Sequence, residues 1–217
     1  MLNYTGTYLE YVEGIEMFCC KCGCQLLASA NFCTECGNKV FVKIVDFNKL
    51  QRINNVICHE GKPYSGSGVS YYCNGQKKNE ETFNQGLGHG TWRYWYEDGS
   101  RAQEVRYVNN VFDGLEIEWF ENGQKKSEVT WSKGALHGVW VTWYPNGQKE
   151  GEVVYTQGKK NGCETMWYEN GQMYSKGQWK NGVQEGFWIA WEATGKKKWQ
   201  GNYNTGEMVF DLESKES

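Results

Sequence analysis

Between Phe18 and Val40 the chain reads FCCKCGCQLLASANFCTECGNKV. Cys19 and Cys22 form one C-x-x-C knuckle, and Cys33 and Cys36 form a second; each is followed directly by a glycine, Gly23 and Gly37. Four thiolates at this spacing reach one ion tetrahedrally, which is the donor set of a closed structural Zn²⁺ site. So short a segment has too little apolar surface to fold by burial, and metal binding then supplies its folding energy. Cys20 and Cys24 offer a second partner set through Cys22-Gly23-Cys24, and iron in the same four-thiolate cage is the rival metal. The two-knuckle spacing favours zinc on Cys19, Cys22, Cys33 and Cys36.

Elsewhere the side chains that do chemistry are dispersed. Cys58, Cys73 and Cys163 are isolated thiols. His89 and His137 stand directly before Gly90 and Gly138, in a column that also holds Asp113, Asn161 and Glu185, so turn formation accounts for them better than ligation. His59 falls in a column of aromatic packing residues. No Ser-His-Asp or Cys-His arrangement, phosphate loop or dinucleotide turn is present, and the expectation is a chain that is not an enzyme. The net charge of −3 gives no general attraction to nucleic acid or anionic lipid. No apolar run approaches the ~20 residues of a membrane span. Residues 1–16 carry Glu10, Glu13 and Glu16 and no Lys or Arg, unlike a secretory leader. A cytoplasmic location follows as the expectation, with nine cysteines kept as thiols or metal ligands.

What must position any site is a repeat. Gly75, Gly99, Gly123, Gly147, Gly171 and Gly195 are each 24 residues apart (99 − 75 and so on). Eight residues after each stands an aromatic: Phe83, Tyr107, Trp131, Tyr155, Trp179, Tyr203. Twenty after stand Trp95, Trp119, Trp143, Trp167 and Trp191. Self-similarity at this period marks a repeat architecture. With 27 Gly against 2 Pro, and Asn-Gly between alternating runs, each unit reads as a β-hairpin with a tight primed turn. The fold class is therefore all-β: a single-layer antiparallel array of hairpins that touch only their neighbours.

Alternation divides the two faces. Val129 and Trp131, with Val139, Val141 and Trp143 of the following run, read as the packed face. On the other face, seventeen residues after each anchor, stand Trp92, Glu116, Trp140, Glu164 and Trp188, flanked by Tyr94 and Glu118. Intervening carboxylates argue against burial, so these seven residues read as an exposed strip that grips a partner.

The phrase running from Trp119 to Tyr144, WFENGQKKSEVTWSKGALHGVWVTWY, resembles the variant MORN repeat of bacterial proteins in the YwqK antitoxin family, over about residues 57–206. The cysteine segment is similar to a short bacterial zinc ribbon of the form FCxxCGxxLxxxAxFCxxCG. Together these imply an N-terminal extension at 1–16, a zinc ribbon at 17–39, a connector at 40–56, the repeat sheet at 57–206 and a tail at 207–217. The resemblance implies a non-catalytic protein-binding module, and specifically an antitoxin or immunity protein whose partner is a toxin. A MORN-type scaffold or membrane-surface adaptor is the alternative. A nucleic-acid-linked regulator acting through the ribbon is weaker, because Lys21 and Lys39 are set against Glu35. Elemental analysis is expected to find one zinc per chain and Cys33→Ser to lose it; a Cys33→Ser chain that retains its zinc contradicts the ligand assignment.

Overall fold

The structure, a computed structural model, describes residues 17–18, 25–26 and 44–209. The chain divides into two compact units, Met1–Ile44 and Val45–Ser217. In the first, Met17–Phe18 pairs antiparallel with Gln25–Leu26, Met17 opposite Leu26. The proposed ligands Cys19, Cys22, Cys33 and Cys36, the extension 1–16 and residues 210–217 lie outside the described residues.

The second unit is all β. Its main element is a 16-stranded sheet in which strands follow one another in chain order, as serial hairpins require. A separate three-stranded meander, Leu50–Ile53, Val56–His59 and Lys62–Pro63, precedes the repeats. Val45, Ile57, Tyr64 and Phe83 form a buried cluster there, with Phe47, Leu50 and Trp92 packed against it. Backbone bonds from Ile57 N–H to Gly86 O and from Gly86 N–H to Tyr64 O join this meander to the first full hairpin. Residues 45–64 thus cover the end of the array, where an uncapped repeat would expose its packed face. At the other end Glu207–Val209 adds one more short strand, paired with Lys197–Asn204.

The two ends of each hairpin are built differently. The primed two-residue turns are not at the Asn-Gly pairs, as the pattern suggested, but eleven residues on. At Lys133-Gly134 both φ values are positive, 49° and 82°, as a type I′ turn demands. The turn N–H of Gly134 donates to Phe112 O at 2.8 Å, one unit back, and the same bond recurs at Asn110, Gly158, Gly182 and Gly206. At the Asn-Gly end only the glycine has positive φ. Asn122 Oδ1 accepts from the N–H of Gln124 at 3.0 Å, which shapes the turn, while its Nδ2 donates to Pro145 O at 2.6 Å, one unit forward. Asn74, Asn146 and Asn170 do the same. The tyrosine before the turn adds another bond: Tyr144 Oη donates to Trp167 O at 2.8 Å, with equivalents from Tyr72, Tyr96 and Tyr168. Asn and Tyr in the recurring phrase therefore serve the next hairpin as much as their own.

The register corrects the division of faces. Trp140 lies opposite Val153, Glu116 opposite Val129, and Trp188 opposite Gly201. Residues directly opposite share a face. The packed face therefore joins Ser127, Val129 and Trp131 to the even-numbered residues Trp140 and Thr142, and Val139, Val141 and Trp143 belong to the other side. Burial agrees: Val105 is 2 % exposed and Trp188 is 4 %, against 44 % for Leu115, 45 % for Val139 and 50 % for Phe187. Replacing Val105 by alanine is expected to lower stability by about 1–3 kcal/mol, and Leu115 by alanine to change it by less than about 0.5 kcal/mol. Urea titrations of the two variants check this; equal losses would contradict the division of faces.

Candidate functional site

On the open face three rows run along the array. The first holds Thr91, Leu115, Val139, Cys163 and Phe187, facing Arg106, Thr130, Val154, Gln178 and Asn202 across the strands. The middle row alternates carboxylates with mostly apolar groups: Glu104 faces Ile117, Glu128 faces Ile117 and Val141, and Glu152 faces Val141. The third pairs each tryptophan with a residue of the following strand: Trp95 with Arg101, Trp119 with Lys125, Trp143 with Lys149, Trp191 with Lys197. A bulge falls at the second residue of each of these strands, so Lys125 lies on the open face while its neighbour Lys126 pairs with Glu118 at 3.2 Å on the packed side. Lys125 Nζ lies 5.6 Å from the Trp143 ring centroid and 2.5 Å from Glu128, and Lys149 repeats this arrangement with Trp167 and Glu152. Such exposed pairs contribute ~0.2–1 kcal/mol each and keep an apolar surface soluble. The pattern breaks in the last units, where Met173 and Lys176 replace the Lys and Glu beside Trp167 and Ile189. Phe187, more exposed than Leu115 or Val139 of the same row, belongs to that stretch.

The strip expected to be exposed, Trp92, Tyr94, Glu116, Glu118, Trp140, Glu164 and Trp188, lies instead on the packed face. The objection to burying its carboxylates is met by partners. Trp131 Nε1 donates to Glu116 at 2.6 Å, and Gln103 Nε2 donates to the other oxygen, also at 2.6 Å. Trp179 Nε1 donates to Glu164 at 3.1 Å, and Lys160 pairs with its second oxygen. The alternation of Trp and Glu is thus complemented eight positions after the next anchor: Tyr107, Tyr155 and Tyr203 where the strip carries Trp, Trp131 and Trp179 where it carries Glu. From Trp92 to Trp179 each unit contributes one indole to the packed face, and the rings run in series, Phe83 to Trp92 at 5.4 Å, Trp92 to Tyr107 at 4.3 Å and Phe112 to Trp131 at 5.0 Å. Gly177 belongs to the same fit, since a Cβ there would stand 2.0 Å from the Trp188 ring. Trp140 keeps a buried Nε1 with no hydrogen-bond partner. Three of the seven, Tyr94, Glu118 and Trp140, line two adjoining open clefts at the Asn-Gly end of the packed face.

His89 and His137 donate their backbone N–H groups to Thr82 O and Thr130 O, entering the hairpin bonding of separate units. Glu116 and Glu164 likewise serve separate hairpins. The buried Glu81 accepts from Asn79 Nδ2 at 2.9 Å and from Tyr94 Oη at 3.1 Å. Burial raises its pKa above the ordinary glutamate range, and burial likewise raises that of Tyr94.

A family model described as the MORN repeat variant matches residues 88–109, 112–133, 136–157 and 160–181. Each match is one strand, its Asn-Gly or Asp-Gly turn and the following strand, and the boundaries between matches fall at the primed turns, whose second residues Asn110, Gly134 and Gly158 are left out. Residues 88–181 thus carry four tandem repeats of that kind, and the array is a repeat-based binding scaffold. No curated protein matches the chain significantly.

The raised Glu81 carboxyl has a consequence for pH. The folded chain holds a proton there that the unfolded chain releases, so stability falls as pH rises from the ordinary glutamate value through the raised folded one. Glu81→Gln keeps an acceptor for Asn79 and Tyr94 and is expected to melt higher than wild type at neutral pH and to flatten that fall. Melting curves across pH check it; a lower melting temperature at neutral pH contradicts the reading.

Proposed function

We propose that the open face is a protein-binding surface and that the chain acts by gripping a partner along several repeats at once. The carrying observation is the row of exposed Leu115, Val139 and Phe187, beside half-buried tryptophans on a sheet face that no element covers among the described residues. Contiguous exposed apolar groups rimmed by charge are the mark of an interaction site. The loss of the Lys–Glu pattern near Phe187 leaves Lys176 facing Ile189, which favours an acidic group on the partner at that end.

Antitoxin activity is the specific form of this reading, supported by the resemblance to YwqK-like proteins, with a toxin as the partner. A structural zinc on Cys19, Cys22, Cys33 and Cys36 is part of the proposal on the strength of the two knuckles and their spacing. A cytoplasmic site of action is proposed with it, in keeping with the free thiols of Cys58, Cys73 and Cys163.

Affinity capture from the native host with wild type and Phe187→Asp, with melting curves alongside, tests the surface. A protein held by wild type and released at least about tenfold by a normally folded Phe187→Asp chain is the expected result. Equal capture by both chains moves the interface off the open face.

A further inference from the structure

The two clefts on the packed face differ from the open face in shape and chemistry. One aromatic ring per hairpin projects along their edge: Tyr72, Tyr96, Phe120 and Tyr144. The hydroxyls of Tyr72, Tyr96 and Tyr144 donate to the carbonyls of Trp95, Trp119 and Trp167 at 2.7–2.8 Å, which fixes these rings in place before any ligand arrives. The clefts adjoin at Glu118 and Lys126, an ion pair at 3.2 Å that lines both, and lie in series as the two halves of one groove. Its two ends carry opposite charges without ion pairs among the described residues. At one end Lys78 lies over the Tyr72 ring at 5.5 Å, and at the other stands Glu150, the same position three units later (150 − 78 = 3 × 24).

Strand spacing of ~4.8 Å sets successive hairpins, and so successive rings, ~9.6 Å apart. A polyproline-II chain turns once in three residues of ~3.1 Å rise, or ~9.3 Å, and over three units it drifts from the rings by only about 1 Å. An extended β-strand repeats at ~6.7 Å and an α-helix at ~5.4 Å, and neither returns the same face to each ring. We infer that this groove binds a proline-rich peptide in the polyproline-II conformation, one turn per hairpin. The peptide carries an acidic residue toward Lys78 and a basic residue about nine positions away toward Glu150. Proline rings lie on the fixed aromatic faces and lose little freedom on binding, as in other aromatic-lined grooves that take such peptides.

The probe is a capped Asp-(Pro)8-Arg decapeptide, titrated calorimetrically into the full chain, with Asp-(Gly)8-Arg as the comparison. The proline peptide is expected to bind at least about tenfold more tightly. Ala102→Trp, which places bulk in the first cleft, and Lys78→Glu, which reverses the charge at its end, are each expected to weaken it by about tenfold while melting as wild type does. Should Ala102→Trp melt early, Lys78→Glu carries the comparison alone. Equal binding of the two peptides, no binding of either at millimolar concentration, or unchanged binding by the folded variants overturns the inference. Phe187→Asp is expected to leave the proline peptide's affinity unchanged, so failure of the open-face reading and failure of this one are told apart.

Discussion

Every hairpin ends in backbone groups that its own two strands leave unpaired, and the array stands on their capture by the next hairpin. At one end a turn N–H such as that of Gly134 reaches a carbonyl 22 residues back. At the other, the amide of Asn122 and the hydroxyl of Tyr144 reach carbonyls 23 residues ahead. Unpaired buried amides and carbonyls cost free energy comparable to a lost hydrogen bond, so a unit that slipped by one residue would forfeit its bonds at both ends. That constraint, more than any side-chain preference within a strand, holds the period at 24. Where the donor is missing the seam thins: Phe120 stands where four other units have Tyr and brings no hydroxyl to the Trp143 carbonyl.

With the ends fixed, the two faces take unlike roles. From Trp92 to Trp179 the packed face accepts one indole per unit, supplied in alternation by the two strands, and the carboxylates of Glu116 and Glu164 are held by tryptophan N–H groups. The true packing period is therefore two hairpins, although the backbone repeats every one. The open face has no such restriction. Its Lys–Glu pairs and Lys–Trp contacts keep the surface wet and leave the Leu115, Val139 and Phe187 row available.

The repeat, its strands and its chain-order sheet are legible in the residue columns alone, because glycine at a turn and aromatics at fixed offsets leave few alternatives. The faces are legible only when the pairing parity that a two-residue turn imposes is followed across the strands. A two-residue turn at Lys133-Gly134 pairs Ser132 with Ala135, so facing residues sum to an odd number and Val129 must meet an even-numbered partner. A two-residue turn at Asn-Gly sets the same parity, since Trp140 faces Val153; grouping Val129 with the odd-numbered Val139, Val141 and Trp143 ignores it and sends Trp140 to the wrong side. The burial of Glu116 and Glu164 was hidden for another reason. Their partners, Trp131 and Trp179, lie 15 residues away, and such a pairing shows only when the columns are compared unit against unit. The cap at residues 45–64 left only a faint trace, since its cluster joins Val45 to Phe83 across distant positions.

A scaffold that presents one uncovered apolar row on a surface ordered by backbone bonding suits recognition that is spread over several repeats and gains from each. The claim beneath this is the assignment of faces. Hydroxyl-radical footprinting of the chain, free and with its captured partner, reads it residue by residue. In the free chain Leu115, Val139 and Phe187 should be oxidised readily and Val105 and Trp188 hardly at all, with the first three protected once the partner is bound. Oxidation of Trp188 as fast as Phe187 in the free chain, or no protection of the Leu115 row in the complex, would contradict the account.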